Sequence, residues 1–255
     1  MDKNEIKKAN RKALPKFILL LLVSAMIGGI SGYLSGRFRL DTLREAISNA
    51  CSFFGENIAP WLIVGIAVIM PVVCFVIYRS AKKLLSAWDG DDEEIPGIAD
   101  RKISVSIMVS AISLVVSFFL IAASYSGGFS TFDSKERTFA FSVGIISFIA
   151  VMIESVIIQQ KCVDAAKRTN PEKKASVYDI RFQKKWLEDS DEAEKILAGK
   201  CAYKAYTATN TVCAVLAIAF AVCALVFNIG YLPSFAVCLI WIVNLSAYCK
   251  EALKY

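Results

Sequence analysis

Six apolar runs divide this 255-residue chain, at 17–34, 59–78, 103–123, 139–158, 206–227 and 232–247. A helix rising 1.5 Å per residue needs about 20 mostly apolar residues to cross the hydrocarbon layer of a bilayer. No soluble domain of this size has a use for six such runs, and a mean hydropathy of +0.52 agrees that lipid is the solvent. The first and last runs are short, so tilt or ragged ends are expected there. The chain therefore reads as an all-α polytopic membrane protein with six transmembrane helices.

The basic residues give these helices a direction. Of the 29 Lys and Arg residues, only Arg37, Arg39, Arg44, Lys135 and Arg137 fall in the segments on one side of the alternating runs. The others crowd the N-terminal tail, 79–102, 161–204 and the C-terminal tail. Lys and Arg in short loops are retained on the cytoplasmic side, which predicts a multi-pass protein with both termini in the cytoplasm. The net charge of +6 is then mainly a topology signal. Its expected partner is a bilayer with anionic headgroups, not nucleic acid, because the basic residues are interleaved with acids and form no basic face with aromatic platforms. The first run has a basic flank like a signal peptide, but Gly28-Gly29-Ile30-Ser31-Gly32 lacks a clear cleavage site, so a retained helix is expected.

Between the runs, two segments carry their own pattern. Leu40, Leu43, Ile47, Ala50 and Phe54 recur at helical spacing ahead of Pro60 and Trp61. This predicts an amphipathic helix, lying on the outer interface or against a partner's external domain. On the other side, 161–205 is the largest polar insertion. Asn170-Pro171 marks a turn, and Val177, Tyr178, Ile180, Arg181, Trp186 and Leu187 predict a short amphipathic helix. A further helix is expected to begin near Asp189–Asp191, where Asp189 with Glu192 or Asp191 with Glu194 can form a capping box. Without a proline before 227, it is expected to run on as span five. The acidic runs at 89–94 and 189–194 precede spans of the same direction, a weak echo that suggests an internal repeat.

Four constellations are worth weighing for chemistry. Ser24, Gly28, Gly32 and Gly36 fall every four residues, a small-residue ridge for close helix packing within the chain or with a second copy. Ser106, Ser110, Ser113, Ser117 and Ser124 share one face of span three and read as interhelical glue or a solute lining. Glu154 is the only acid inside a run, about 6 Å from its cytoplasmic end. With Asn210, Thr211, Asn244 and Ser246 it could line a polar vestibule, or it could snorkel to the interface. Pro71 removes a backbone donor inside span two and predicts a kink.

Absences narrow the reading further. The chain has no histidine, which removes Ser-His-Asp hydrolysis and H-E-x-x-H metalloproteases. Neither G-x-x-x-x-G-K-[ST] nor G-x-S-x-G nor G-x-G-x-x-G occurs. The acidic run 91–94 matches no Ca²⁺ loop, and the eight cysteines show no C-x-x-C spacing, so no metal, cofactor or disulfide framework is expected. An enzyme is not expected.

From Phe182-Gln-Lys184-Lys185-Trp186 through Asp191-Glu192-Ala193-Glu194 to Ala202-Tyr203-Lys204-Ala205-Tyr206, with Asn170-Pro171-Glu172-Lys173-Lys174 ahead of it, the chain resembles an uncharacterised family of bacterial six-helix membrane proteins. That resemblance implies a bacterial plasma-membrane location and carries no activity. Two functions stand open. One is a non-enzymatic regulatory or accessory protein that engages a cytoplasmic or membrane partner through Tyr178, Phe182 and Trp186. The other is a small-solute permease using the vestibule at Glu154.

Overall fold

The computed structural model of the chain describes residues 41–88, 94–126, 128–227 and 229–254, together with scattered positions between 14 and 33. Those scattered positions are helical, but Ser24, Gly36 and the acidic stretch 89–93 lie outside the described residues. Helix α1 (Asp41–Phe53) passes through a π-helical turn (Phe54–Ile58) into α2 (Ala59–Ala87). Then follow α3 (Glu94–Ser124), a 3₁₀ turn (Gly128–Asp133), α4 (Lys135–Ala166), the short α5 (Phe182–Glu188), α6 (Glu192–Phe227) and α7 (Leu232–Ala252). There is no strand among the described residues.

Five stretches are long and apolar enough to cross a membrane: Thr42–Ala87, Glu94–Ser124, Lys135–Ala166, Glu192–Ala224 and Leu232–Ala252. They overlap the second to sixth apolar runs, and the expected first span is described only at scattered positions, all of them helical. The predicted amphipathic helix is present as α1, joined to α2 by the π turn with no intervening loop. Helix α2 continues unbroken through Pro71.

The predicted helix over 177–187 is shorter than its sequence suggests. Residues 177–181 are turns, and α5 starts only at Phe182. The reason is local: the Asp179 carboxylate accepts the Arg181 N–H at 2.9 Å and pairs with Lys185, offering the backbone an alternative to helix. By contrast, α6 starts where its cap predicts, with the Glu194 N–H donating to Asp191 Oδ1 at 2.7 Å. At 36 residues it is about 54 Å long, well beyond what the hydrocarbon layer needs.

The chain divides into two compact units, residues 47–195 and residues 1–46 with 196–255. In the central unit, 47–195, helices α2, α3 and α4 pack on one another around three core clusters. Ala59, Ile63 and Leu120 form one, Met70, Cys74 and Val151 the next, and Ala81, Leu85, Ala99, Ile103, Cys162 and Ala165 the last. Two glycines let backbones meet. A Cβ on Gly55 would lie 2.1 Å from the Ala123 carbonyl oxygen and 2.2 Å from Ser126 Oγ, and one on Gly144 would lie 3.1 Å from Pro60 Cβ.

The polarity of this unit is inside-out relative to a soluble bundle. Ser106, Ser110, Ser117 and Ser155 are fully buried, whereas Val68, Phe119 and Ile146 are all more than 60% exposed. Large aliphatic side chains outward and small hydroxylated ones inward are what helix packing in lipid selects.

In the terminal unit, α6 and α7 are joined by side chains. Asn244 Nδ2 donates to Asn210 Oδ1 at 3.0 Å, and Tyr206 stacks on Tyr248 with ring centroids 4.3 Å apart. Arg44 Nε of α1 donates to the Val226 carbonyl at 2.9 Å.

Candidate functional site

The most organised polar site lies in segment 167–191, on the loop between α4 and α6. Its centre is Lys173, whose side chain is only 4% exposed although it is charged and follows a helix-breaking Asn170-Pro171. A buried ammonium is costly without partners, and here they are supplied. Nζ lies 2.7 Å from both Glu194 carboxylate oxygens and 4.6 Å from the centre of the Trp186 ring. Glu194 is thereby drawn away from the reciprocal half of its capping box.

Neighbouring contacts fasten the same segment at both ends. The Lys174 N–H donates to Asp189 Oδ2 at 3.0 Å. Gln160 Oε1, near the end of α4, accepts from Ser176 Oγ at 3.1 Å and from the Val177 N–H at 3.0 Å. Asp100, in the second turn of α3, is within electrostatic reach of Lys173 and Glu194, and its buried Oδ1 has no hydrogen-bond partner among the described residues. Outside this centre, the hydrogen bond from Lys185, followed by that from the Arg181 N–H, holds the Asp179 carboxyl below the usual aspartate range.

The three expected partner-facing aromatics are treated differently by this arrangement. Phe182 and Trp186 touch, with centroids 5.6 Å apart, and both are half-buried. Trp186 serves the Lys173 centre. Tyr178 is 68% exposed, beside Ile180, which is exposed completely, and Leu187 of α5 is also exposed.

The serine face of α3 has the packing role. Ser110, Ser117 and Ser124 hydroxyls donate to the carbonyls of Ile107, Ser113 and Leu120 at 2.8–2.9 Å, satisfying themselves on their own helix. Ser106 Oγ reaches across to the Cys74 carbonyl at 3.5 Å, and Cys74 Sγ lies 3.6 Å from the Ser106 carbonyl. Gln159 Nε2 meets Ser110 Oγ at 3.4 Å. Ser106, Ser110, Ser117 and Ser124 are buried between helices, where their hydroxyls serve packing.

Glu154 borders a groove of about 410 Å³ on the α2–α4 face, with Pro71, Phe75 and Tyr78 opposite and Ile157 and Lys161 beside it. Its Oε2 is buried with no hydrogen-bond partner among the described residues. The other proposed vestibule residues belong to the terminal unit. There Asn210 and Asn244 bond each other, Thr211 Oγ1 donates to the Thr207 carbonyl at 3.0 Å, and Ser246 is exposed. Of the small-residue ridge, Gly28 and Gly32 are helical, and a Cβ on Gly28 meets nothing within 4 Å among the described residues. All eight cysteines are free, and among the described residues no three Cys, Asp or Glu side chains gather as metal ligands.

Fold and site together define a helical protein built for a membrane, with a fastened polar segment between two of its long helices. The chain belongs to the family described as protein of unknown function (DUF3169), which matches it over residues 11–252. No curated protein and no solved structure matches it.

Proposed function

We propose that this is a non-enzymatic, multi-pass protein of the bacterial plasma membrane that acts by presenting segment 167–191 to a protein partner in the cytoplasm. The run 17–34 would supply a sixth span, and the crowding of Lys and Arg in the two tails and within 79–102 and 161–204 supports both termini and this segment lying inside. The observation that carries the reading is the Lys173 centre. A mere linker between two spans has no need of a buried, doubly contacted lysine.

The fastened segment holds Tyr178, Ile180 and Leu187 outward at little cost in chain entropy, which is how a preorganised contact surface gains affinity. Trp186 and Phe182, which the sequence suggests as contact residues, act instead by holding that surface in shape. The enclosure of the serine seam weighs against a permease.

The test is a photo-reactive amino acid in place of Ile180 in the native cell. A single dominant adduct, lost in Tyr178→Ala and unchanged by Glu154→Gln, is expected. The absence of any adduct, at normal membrane levels of the protein, would refute the reading.

A further inference from the structure

At the opposite end of the central unit from Lys173, a second recess of about 500 Å³ opens between the π turn and the first turns of α4. Glu56 and Trp61 form one wall, and Ser134, Glu136, Arg137 and Phe139 the other. The walls are held by two close helix approaches, Gly55 on Ala123 and Gly144 on Pro60. A π turn inside a helical run often marks a functional position, since it re-aims the side chains it carries. Here the turn directs Glu56, whose side chain is only 10% exposed, onto Arg137 Nη1 at 3.0 Å.

The recess then holds two carboxylates and one guanidinium, with Glu136 and the remaining edge of Arg137 open to a ligand. A guanidinium has five N–H donors, and Arg137, 44% exposed, keeps several beyond the one given to Glu56. Glu136 is exposed and has no ion pair among the described residues. A purely anionic ligand would meet Glu136 and the buried Glu56, and a purely cationic one would leave the Arg137 donors unfilled. A zwitterion satisfies both.

Depth selects which zwitterion. Trp61 and Phe139 are 52% and 63% exposed at the starts of α2 and α4, where the apolar runs begin. An exposed Trp ring at such a helix end sits at headgroup level in a bilayer, with the apolar Phe139 ring beside it facing the acyl chains. We propose that this recess binds an aminoalkyl phosphate, supplied as the headgroup of a zwitterionic phospholipid. Arg137 takes the phosphate, Glu136 takes the ammonium, and the acyl chains descend past Trp61 and Phe139. This does not depend on a cytoplasmic partner, only on the protein lying in a membrane.

Native mass spectrometry of the full chain in a non-ionic detergent, titrated with phosphatidylethanolamine, phosphatidylglycerol or free phosphoethanolamine, tests it. Phosphatidylethanolamine should be retained at least about tenfold better than phosphatidylglycerol, and Glu136→Gln should remove that preference, the loss expected for one charged hydrogen bond. Because Glu136 is exposed and has no ion pair among the described residues, this variant is expected to keep the fold, whereas Arg137→Gln is the harsher companion. Competition by millimolar free phosphoethanolamine would assign the same chemistry to a soluble source, and its failure would assign it to the lipid. Equal retention of the two lipids, or a preference that survives Glu136→Gln, overturns the proposal.

Discussion

The two units of this chain are both helical and both apolar, yet they are held together by different means. In the central unit, 47–195, the packing is stereospecific: glycines against carbonyls, serines buried on one face, and an ion pair at each end. In the membrane-like stretches of α3 and α4, 22% of residues are buried; in those of α6 and α7 the shares are 6% and 0%. The α6–α7 pair relies on one amide–amide hydrogen bond and one ring stack. Hydrophobicity separates neither case, because lipid solvates exposed apolar faces as well as a core does. What distinguishes them is how many contacts fail if a single atom is added or removed.

Adding one atom should therefore have opposite effects in the two units. Gly55→Ala places a Cβ against a backbone carbonyl that cannot rotate away, and about 3 kcal/mol of destabilisation or outright loss of folded protein is expected. Gly199→Ala, in α6 with nothing within 4 Å, should stabilise by about 0.5–1 kcal/mol through helix propensity. Thermal unfolding in detergent checks both. Similar effects of the two substitutions would erase the distinction drawn between the units.

Removing Lys173 comes next. Glu194 is 37% exposed and can be rehydrated, so Lys173→Ala should cost about 2 kcal/mol, less than a fully buried pair. The loss should be local, seen as faster proteolysis within 167–191 while the α2–α4 bundle stays intact. In the terminal unit, Asn244→Ala should loosen α6 from α7 by about 0.6–1.7 kcal/mol, the range for interhelical polar contacts in lipid. Disulfide trapping of cysteines placed across α6 and α7 would report it.

The smallest effect is a pH response. The Asp179 carboxyl is held low in the folded segment, so its contribution is present above the ordinary aspartate range and fades as pH falls through its depressed value. Weaker protection of the Arg181 amide in acid is expected, and the partial exposure of the Asp179 side chain keeps the change small.

Much of this architecture was legible before any coordinates. Apolar run length located five long helices, the two candidate caps at Asp189 and Asp191 located the start of α6, and the serine spacing located the buried face of α3. These signals are periodic or local. The Lys173 centre was not legible, because Asn170-Pro171-Glu172-Lys173-Lys174 reads as a solvated turn, and the partners Trp186 and Glu194 are brought in by the tertiary fold. The role of Trp186 beside Lys173 is hidden for the same reason: an aromatic in a polar loop looks the same whether it meets a stranger or its own lysine. Gly55 was not legible either: it belongs to no small-residue motif, yet a Cβ there would lie 2.1 Å from a backbone carbonyl oxygen.

The central claim is that segment 167–191 stands on the cytoplasmic side of a polytopic membrane protein. Single-cysteine proteins retaining only Cys51, only Cys201 or only an Ile180→Cys replacement, treated with a membrane-impermeant maleimide, test it directly, since both natural thiols are exposed. The account predicts that Cys51 reacts in intact cells, whereas Cys201 and Ile180→Cys react only after the membrane is opened. Labelling of Ile180→Cys in intact cells would contradict it.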